Sequence, residues 1–210
     1  MKSDYRNTKY CIPLENVHNK KNTLNKKICE EHPRANVIYN QVSDRSKSYK
    51  RAFMKIYNEK CGYCGNSISN ISELLLEVDH YICESFFDSQ EEAGKMSNLV
   101  LACYDCNRSK GKMLIKDEYV GKLNPDNEEI QDVFCRDKAY YIRVAEEHKE
   151  DVFINRFYEK LKLGYQTKRL DYLLLNMRGL CEKMKGRPQE GKMYFILVKL
   201  QEKRNRTGRI

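Results

Sequence analysis

Two C-x-x-C pairs, Cys61/Cys64 in CGYCG and Cys103/Cys106 in CYDC, constrain this chain more than any other feature. Two residues between cysteines let both thiolates turn onto one ion, with backbone amides in the turn offsetting part of their charge. Two such knuckles close a tetrahedral four-sulfur zinc site, and a site filled by four protein ligands is structural. The 38 residues 65–102 between the knuckles exceed the spacing of short zinc fingers, so a folded insert inside a zinc frame is expected. A thioredoxin-like redox pair, or plain buried thiols, is the alternative that a single C-x-x-C would leave open. Nine cysteines is an odd number, which excludes a complete disulfide framework. The basic, polar start has no signal-peptide pattern, and no apolar run is long enough for a bilayer. A reducing, cytoplasmic protein with no membrane role is therefore expected, with Cys11, Cys29, Cys83, Cys135 and Cys181 as ordinary thiols.

Charge is unevenly spread. Residues 1–60 carry net +8, residues 61–182 net −6 and residues 183–210 net +7, within an overall +9. Basic ends around an acidic middle fit a chain whose ends grip a polyanion while its centre holds a cation. A solvated surface would give the same charge runs.

Residues 1–42 are rich in Asn and Lys without clear periodicity and read as a basic arm. From Ser43 the pattern sharpens: Tyr49, Ala52, Phe53, Ile56 and Tyr57 form one stripe of an amphipathic helix, with Ser43 or Asp44 as its cap. Asn124-Pro125-Asp126-Asn127 reads as a boundary turn, and VFCRDKAYYIRV (133–144) as strand. Three helical stripes follow. The first (Ile154, Phe157, Tyr158, Leu161) is closed by Gly164. The second (Leu170, Leu173, Leu174, Met177, Cys181, Met184) is closed by Gly186 and Pro188. The third is Met193, Ile196, Leu197 and Leu200. They read as core-facing surfaces of a helical subdomain.

Between the knuckles lie Asp79-His80, in EVDHYI, and Asn98; after the second knuckle come Asn107, Arg108, Lys110 and Lys112. Taken singly, Asp79 could cap a turn and His80 could be a hydrogen-bonded core histidine. Together, CGYCG, EVDHYI and NLVLACYDCNRSKGK, spanning about 61–115, resemble the HNH endonucleases, whose ββα-metal fold sets a hairpin and a helix around one divalent ion. The resemblance implies an α+β, mainly helical chain. A ββα-metal core with a structural four-cysteine zinc site is preceded by one helix and followed by a helical subdomain. The expected divisions are a basic arm at 1–42, the nuclease domain with its lead-in helix at 43–122, and a helical platform for substrate or partner at 123–210.

By the same resemblance, His80 is the general base. Asp79 and Asn107 are the oxygen ligands of a catalytic Mg2+ or Mn2+, and Asn98 braces the loop presenting the histidine. Arg108, Lys110 and Lys112 are expected to meet phosphates. The family's third letter is usually histidine; Asn107 stands there, as it does in the HNH domains of RNA-guided nucleases, and two oxygen donors favour a hard cation. Neighbouring residues on a regular strand face opposite sides, so convergence of Asp79 and His80 calls for a strand end or a bulge. The partner implied is nucleic acid, with DNA as substrate. FYEKLKLG and RLDYLLLNM are similar to flanks of HNH nucleases in bacterial anti-phage defence, some of which work beside an ATPase subunit. A homo-oligomer is left open. The competing readings are a non-catalytic zinc-stabilised nucleic-acid-binding module and a protein-interaction module. Neither requires Asp79, His80 and Asn107.

Overall fold

The computed structural model describes residues 4–207; residues 1–3 and 208–210, the outermost ends of the expected arm and platform, lie outside the described residues. In chain order come helices α1 (Val17–Glu31), α2 (Ile38–Ser43) and α3 (Ser48–Ile56), then strand β1 (Leu76–His80). Helix α4 (Gln90–Ala93), strand β2 (Leu99–Cys103) and helix α5 (Tyr104–Lys110) complete the central part. Helices α6 (Asp117–Val120) and α7 (Ile130–Val133) lead to strands β3 (Phe134–Arg136) and β4 (Ile142–Val144), followed by α8 (Val152–Lys160), α9 (Gln166–Met184) and α10 (Glu190–Thr207). The architecture is α+β and mainly helical.

Helix α3 forms where its stripe predicts, with Tyr49, Phe53 and Ile56 buried. Its N-cap is Lys47. Neither expected cap serves: Ser43 ends α2, and the Asp44 carboxylate accepts from the Ser46 backbone N–H and hydroxyl instead. The helix delivers the chain directly into the first knuckle.

Strands β1 and β2 pair antiparallel in unbroken register from Leu76↔Cys103 to His80↔Leu99. The apolar run LVLAC is buried at all five positions, whereas β1 leaves Glu77 and His80 only half-buried. No bulge separates Asp79 from His80; the strand ends at the histidine. From β2 the chain turns at once into α5, which stops where Gly111 takes φ 52 and donates its N–H to the Asn107 carbonyl. A side chain would be strained at that dihedral. Hairpin and helix together make the expected ββα unit.

The expected arm is folded. Arg6 is buried and donates to the Asp4 carboxylate and to the carbonyls of Gly62 and Pro125, tying the N-terminal segment to the first knuckle. Gly65 takes φ 76 beside it, where a Cβ would come within 2.6 Å of the Arg6 carbonyl oxygen. In α1 the inward positions are Val17, Lys21, Leu24 and Ile28. Lys21 occupies an apolar place in that stripe, with its ammonium bonded to the Leu99 carbonyl and the Asp126 carboxylate. A lysine at the second inward position conceals the 3.6-residue period from a hydropathy pattern.

The strand-like segment 133–144 begins on the last residue of α7 and then forms a hairpin, with Phe134↔Val144 to Arg136↔Ile142 paired around a turn. Helix α8 buries Ile154 and Phe157 as predicted. It is followed by Lys162 at φ 54, so this lysine and not Gly164 takes the left-handed position; Gly186, at φ 74, does mark the α9–α10 turn. Helix α10 has no buried residue. Its stripe Met193, Ile196, Leu197 and Leu200 is half-buried, while Tyr194 and Phe195 are each 62% exposed, so it forms a hairpin seam with α9 and not a core surface.

Ile28→Ala should destabilise the protein by about 2–5 kcal/mol in equilibrium denaturation, as truncation of a buried isoleucine does. A change within about 0.5 kcal/mol, the usual range at an exposed site, would contradict the packing of α1 on the core.

Candidate active site

The four knuckle cysteines converge. Cys61 and Cys64 lie in the turn after α3, Cys103 ends β2, and Cys106 sits in the first turn of α5. All four are buried, and their sulfurs lie within 4.8 Å of one another. Ligands about 2.3 Å from a tetrahedral zinc have sulfurs about 3.8 Å apart, and Cys64 Sγ and Cys103 Sγ are 3.8 Å apart. The donor set fits a structural metal such as zinc. Backbone bonds fix the first knuckle: Gly62 donates to Leu101 O at 2.7 Å and Cys61 to Asn66 O at 2.7 Å. Lys168 of α9, 5% exposed, puts its ammonium 3.8 Å from Cys103 Sγ. A buried cation there offsets the negative charge of a four-thiolate site.

One face of β1 carries Glu77 and Asp79, two residues apart, and helix α5 lies across it. Asn107 Nδ2 donates to Glu77 Oε2 at 2.6 Å, and Arg108 Nη2 lies 3.3 Å from Glu77 Oε1. Asp79 is 6% exposed. Its Oδ2 accepts from the Tyr63 hydroxyl at 2.7 Å and meets Lys110 Nζ at 3.2 Å. Burial pushes the Asp79 carboxyl up to about 6, against the opposing pull of Lys110 and the Tyr63 hydrogen bond. His80 belongs to the other face, where its ring stacks on Tyr39 of α2 with centroids 4.4 Å apart. Burial lowers the His80 pKa below its ordinary value; Glu84 works against this and Lys110 with it. Burial therefore favours the neutral imidazole.

Residues 61–113, from the first knuckle to just past α5, match the family model of HNH endonucleases. The chain carries an HNH endonuclease domain. No curated protein matches the chain, and no solved structure does. The match does not reach FYEKLKLG or RLDYLLLNM, so the likeness of those flanks to anti-phage nucleases gains no support from it.

Within the HNH domain, Asn98 is buried and braces the connection from β1 to β2. Its Nδ2 donates to the carbonyls of Ile82 and Ala93, at 3.0 and 2.8 Å, and its Oδ1 accepts from the Ile82 N–H at 2.9 Å. That pins the segment directly after His80. Arg108 and Lys112 are exposed, Arg108 lying over the Tyr104 ring. Lys110 is not a surface cation. It is 1% exposed, and its ammonium reaches three acceptors: His80 O, Tyr81 O and Asp79 Oδ2. Three donors meet three acceptors, leaving none for a phosphate. Asn107 is brought to the Glu77–Asp79 face of β1, while Asp79 and His80 stay on opposite faces at the end of an unbulged strand.

The motif spacing does not single out Glu77, Tyr63 as a partner of Asp79, or Tyr39. Glu77 was within reach, since a strand over EVDH puts 77 and 79 on one face. Tyr63 and Tyr39 depend on long-range packing that no local spacing reveals.

Metal analysis of folded protein should return about one zinc per chain, and Cys61→Ser or Cys106→Ser should lose both the metal and the cooperative unfolding transition. Folded protein with no bound metal would rule out the four-sulfur frame.

Proposed function

We propose that the chain is a divalent-metal-dependent endonuclease hydrolysing phosphodiester bonds of DNA, with His80 as general base and Asp79 and Asn107 as the ligands of a catalytic Mg2+ or Mn2+. The observation that carries this reading is the meeting of Asn107 on α5 with the Glu77–Asp79 face of β1, at a strand that ends on His80, inside the segment matching HNH endonucleases. The donors are a carboxylate and an amide carbonyl, the chemistry a hard cation takes.

A phosphodiester lying across the end of β1 meets Asp79 from one face and His80 from the other. The neutral imidazole accepts a proton from the attacking water. Stacking on Tyr39 and the Asn98 brace fix where that ring stands. A divalent cation bound by Asp79 and Asn107 would supply Lewis-acid stabilisation of the charge on the phosphorane and the departing 3′ oxygen. Exposed Arg108 and Lys112, just beyond Asn107, give the strand's phosphates two cations; Lys110 instead holds the end of β1 in place. A role in anti-phage defence beside an ATPase subunit rests on the resemblance of the flanks alone.

Purified protein with Mg2+ or Mn2+ should nick or linearise DNA in a substrate panel that includes RNA and single strands, and His80→Ala should abolish cleavage while leaving the fold intact. Undiminished cleavage by His80→Ala, at protein levels that exclude a contaminating nuclease, would refute the assignment.

A further inference from the structure

The two proposed metal ligands differ from their polar neighbours in what remains free on them. Both carboxylate oxygens of Glu77 are engaged, Oε2 by the Asn107 amide nitrogen at 2.6 Å and Oε1 by Arg108 at 3.3 Å. On Asp79 the Tyr63 hydroxyl and the Lys110 ammonium both come to Oδ2, at 2.7 and 3.2 Å, and Oδ1 takes part in neither bond. On Asn107, Glu77 holds the nitrogen end of the amide, which fixes the carbonyl oxygen as the other end.

We propose that Glu77 and Tyr63 are positioning residues that decide which oxygen each ligand offers to the divalent cation: the amide carbonyl of Asn107 and Oδ1 of Asp79. The inference rests on the reading above that these two residues hold that cation. An asparagine amide can present either a donor or an acceptor, and only the acceptor binds a metal. A carboxylate acceptor on its nitrogen removes that ambiguity before the metal arrives. The same logic applies to Asp79, which sits in a largely dehydrated place. Two donors on one oxygen keep the buried carboxylate from rotating and leave its partner as a single-oxygen ligand. Tyr63 adds a link from the zinc frame. It stands between Cys61 and Cys64, its ring is buried, and its carbonyl accepts from the Tyr5 hydroxyl at 2.6 Å. The knuckle therefore fixes where the phenol oxygen stands. Orientation of ligands by hydrogen-bonding neighbours is worth about 10–100-fold in metal affinity.

The test is Mn2+ binding to zinc-loaded protein, followed by the electron paramagnetic resonance of free Mn2+ and so independent of cleavage. Glu77→Ala and Tyr63→Phe should each weaken Mn2+ binding by about tenfold or more, with zinc content unchanged and the fold retained. Glu77→Gln, which keeps an acceptor for the Asn107 amide, should stay much closer to wild type than Glu77→Ala. In an Asn107→Ala background, Glu77→Ala should have little further effect, because it acts through that residue. If Asp79→Asn and Asn107→Ala weaken binding while Glu77→Ala and Tyr63→Phe do not, the positioning role is overturned and the metal site stands. An equal loss in Glu77→Gln and Glu77→Ala would make Glu77 a ligand and also overturn it. Unchanged binding in Asp79→Asn and Asn107→Ala would remove the metal site itself.

Discussion

Four buried sulfurs within 4.8 Å of one another are the constraint on which the rest of the molecule depends. Four thiolates at that separation repel unless a cation stands among them, so metal and local fold form together. What the sulfurs join is specific: the turn after α3, the end of β2 and the first turn of α5. With those three points fixed, the direction in which α5 leaves the hairpin is fixed, and so is the face of β1 it crosses. The helix is only seven residues long, too short to hold a direction by its own hydrogen bonds.

Distant segments use the same frame as their anchor. Arg6 bonds the Gly62 carbonyl from the N-terminal side, and Lys168 approaches Cys103 from α9. Three residues on, Asp171 accepts from Asn66 just past the first knuckle and from Arg204 of α10. Buried charges of this kind persist only when paired and hydrogen-bonded, and each pairing ties a remote part of the chain to the knuckles. The Asp79 cluster follows the same rule nearer the chemistry. Its bonding is one-sided, with two donors on a single oxygen, whereas both oxygens of Glu77 are engaged.

Much of this was legible in the residues. The cysteine spacing predicted the frame, the gap of 65–102 a folded insert, and the stripes of α3 and α8 their buried faces; of the α9 stripe only Leu170 and Leu174 are buried. The failures share a physical cause: a polar residue doing an interior job. Lys21 fills an apolar place in α1, so the helix reads as a solvated arm. Lys110 follows Asn107 in NRSKGK and reads as a phosphate contact, yet it is bound inside by two carbonyls and a carboxylate. The α10 stripe errs in the opposite direction: Met193, Ile196, Leu197 and Leu200 read as a core surface and are only half-buried in the fold. The stack of Tyr39 on His80 joins α2 to a strand more than thirty residues later, a pairing outside the reach of periodicity.

The central claim is that one zinc-fixed face of β1, read together with α5, presents Asp79 and Asn107 to a divalent cation at the strand end that carries His80. Anomalous diffraction from crystals soaked in Mn2+ tests it most directly. The account predicts a zinc-edge peak among the four cysteine sulfurs and a separate manganese peak in contact with Asp79 Oδ1 and the Asn107 carbonyl oxygen. A manganese peak away from both residues, in crystals whose zinc peak is present, would contradict it.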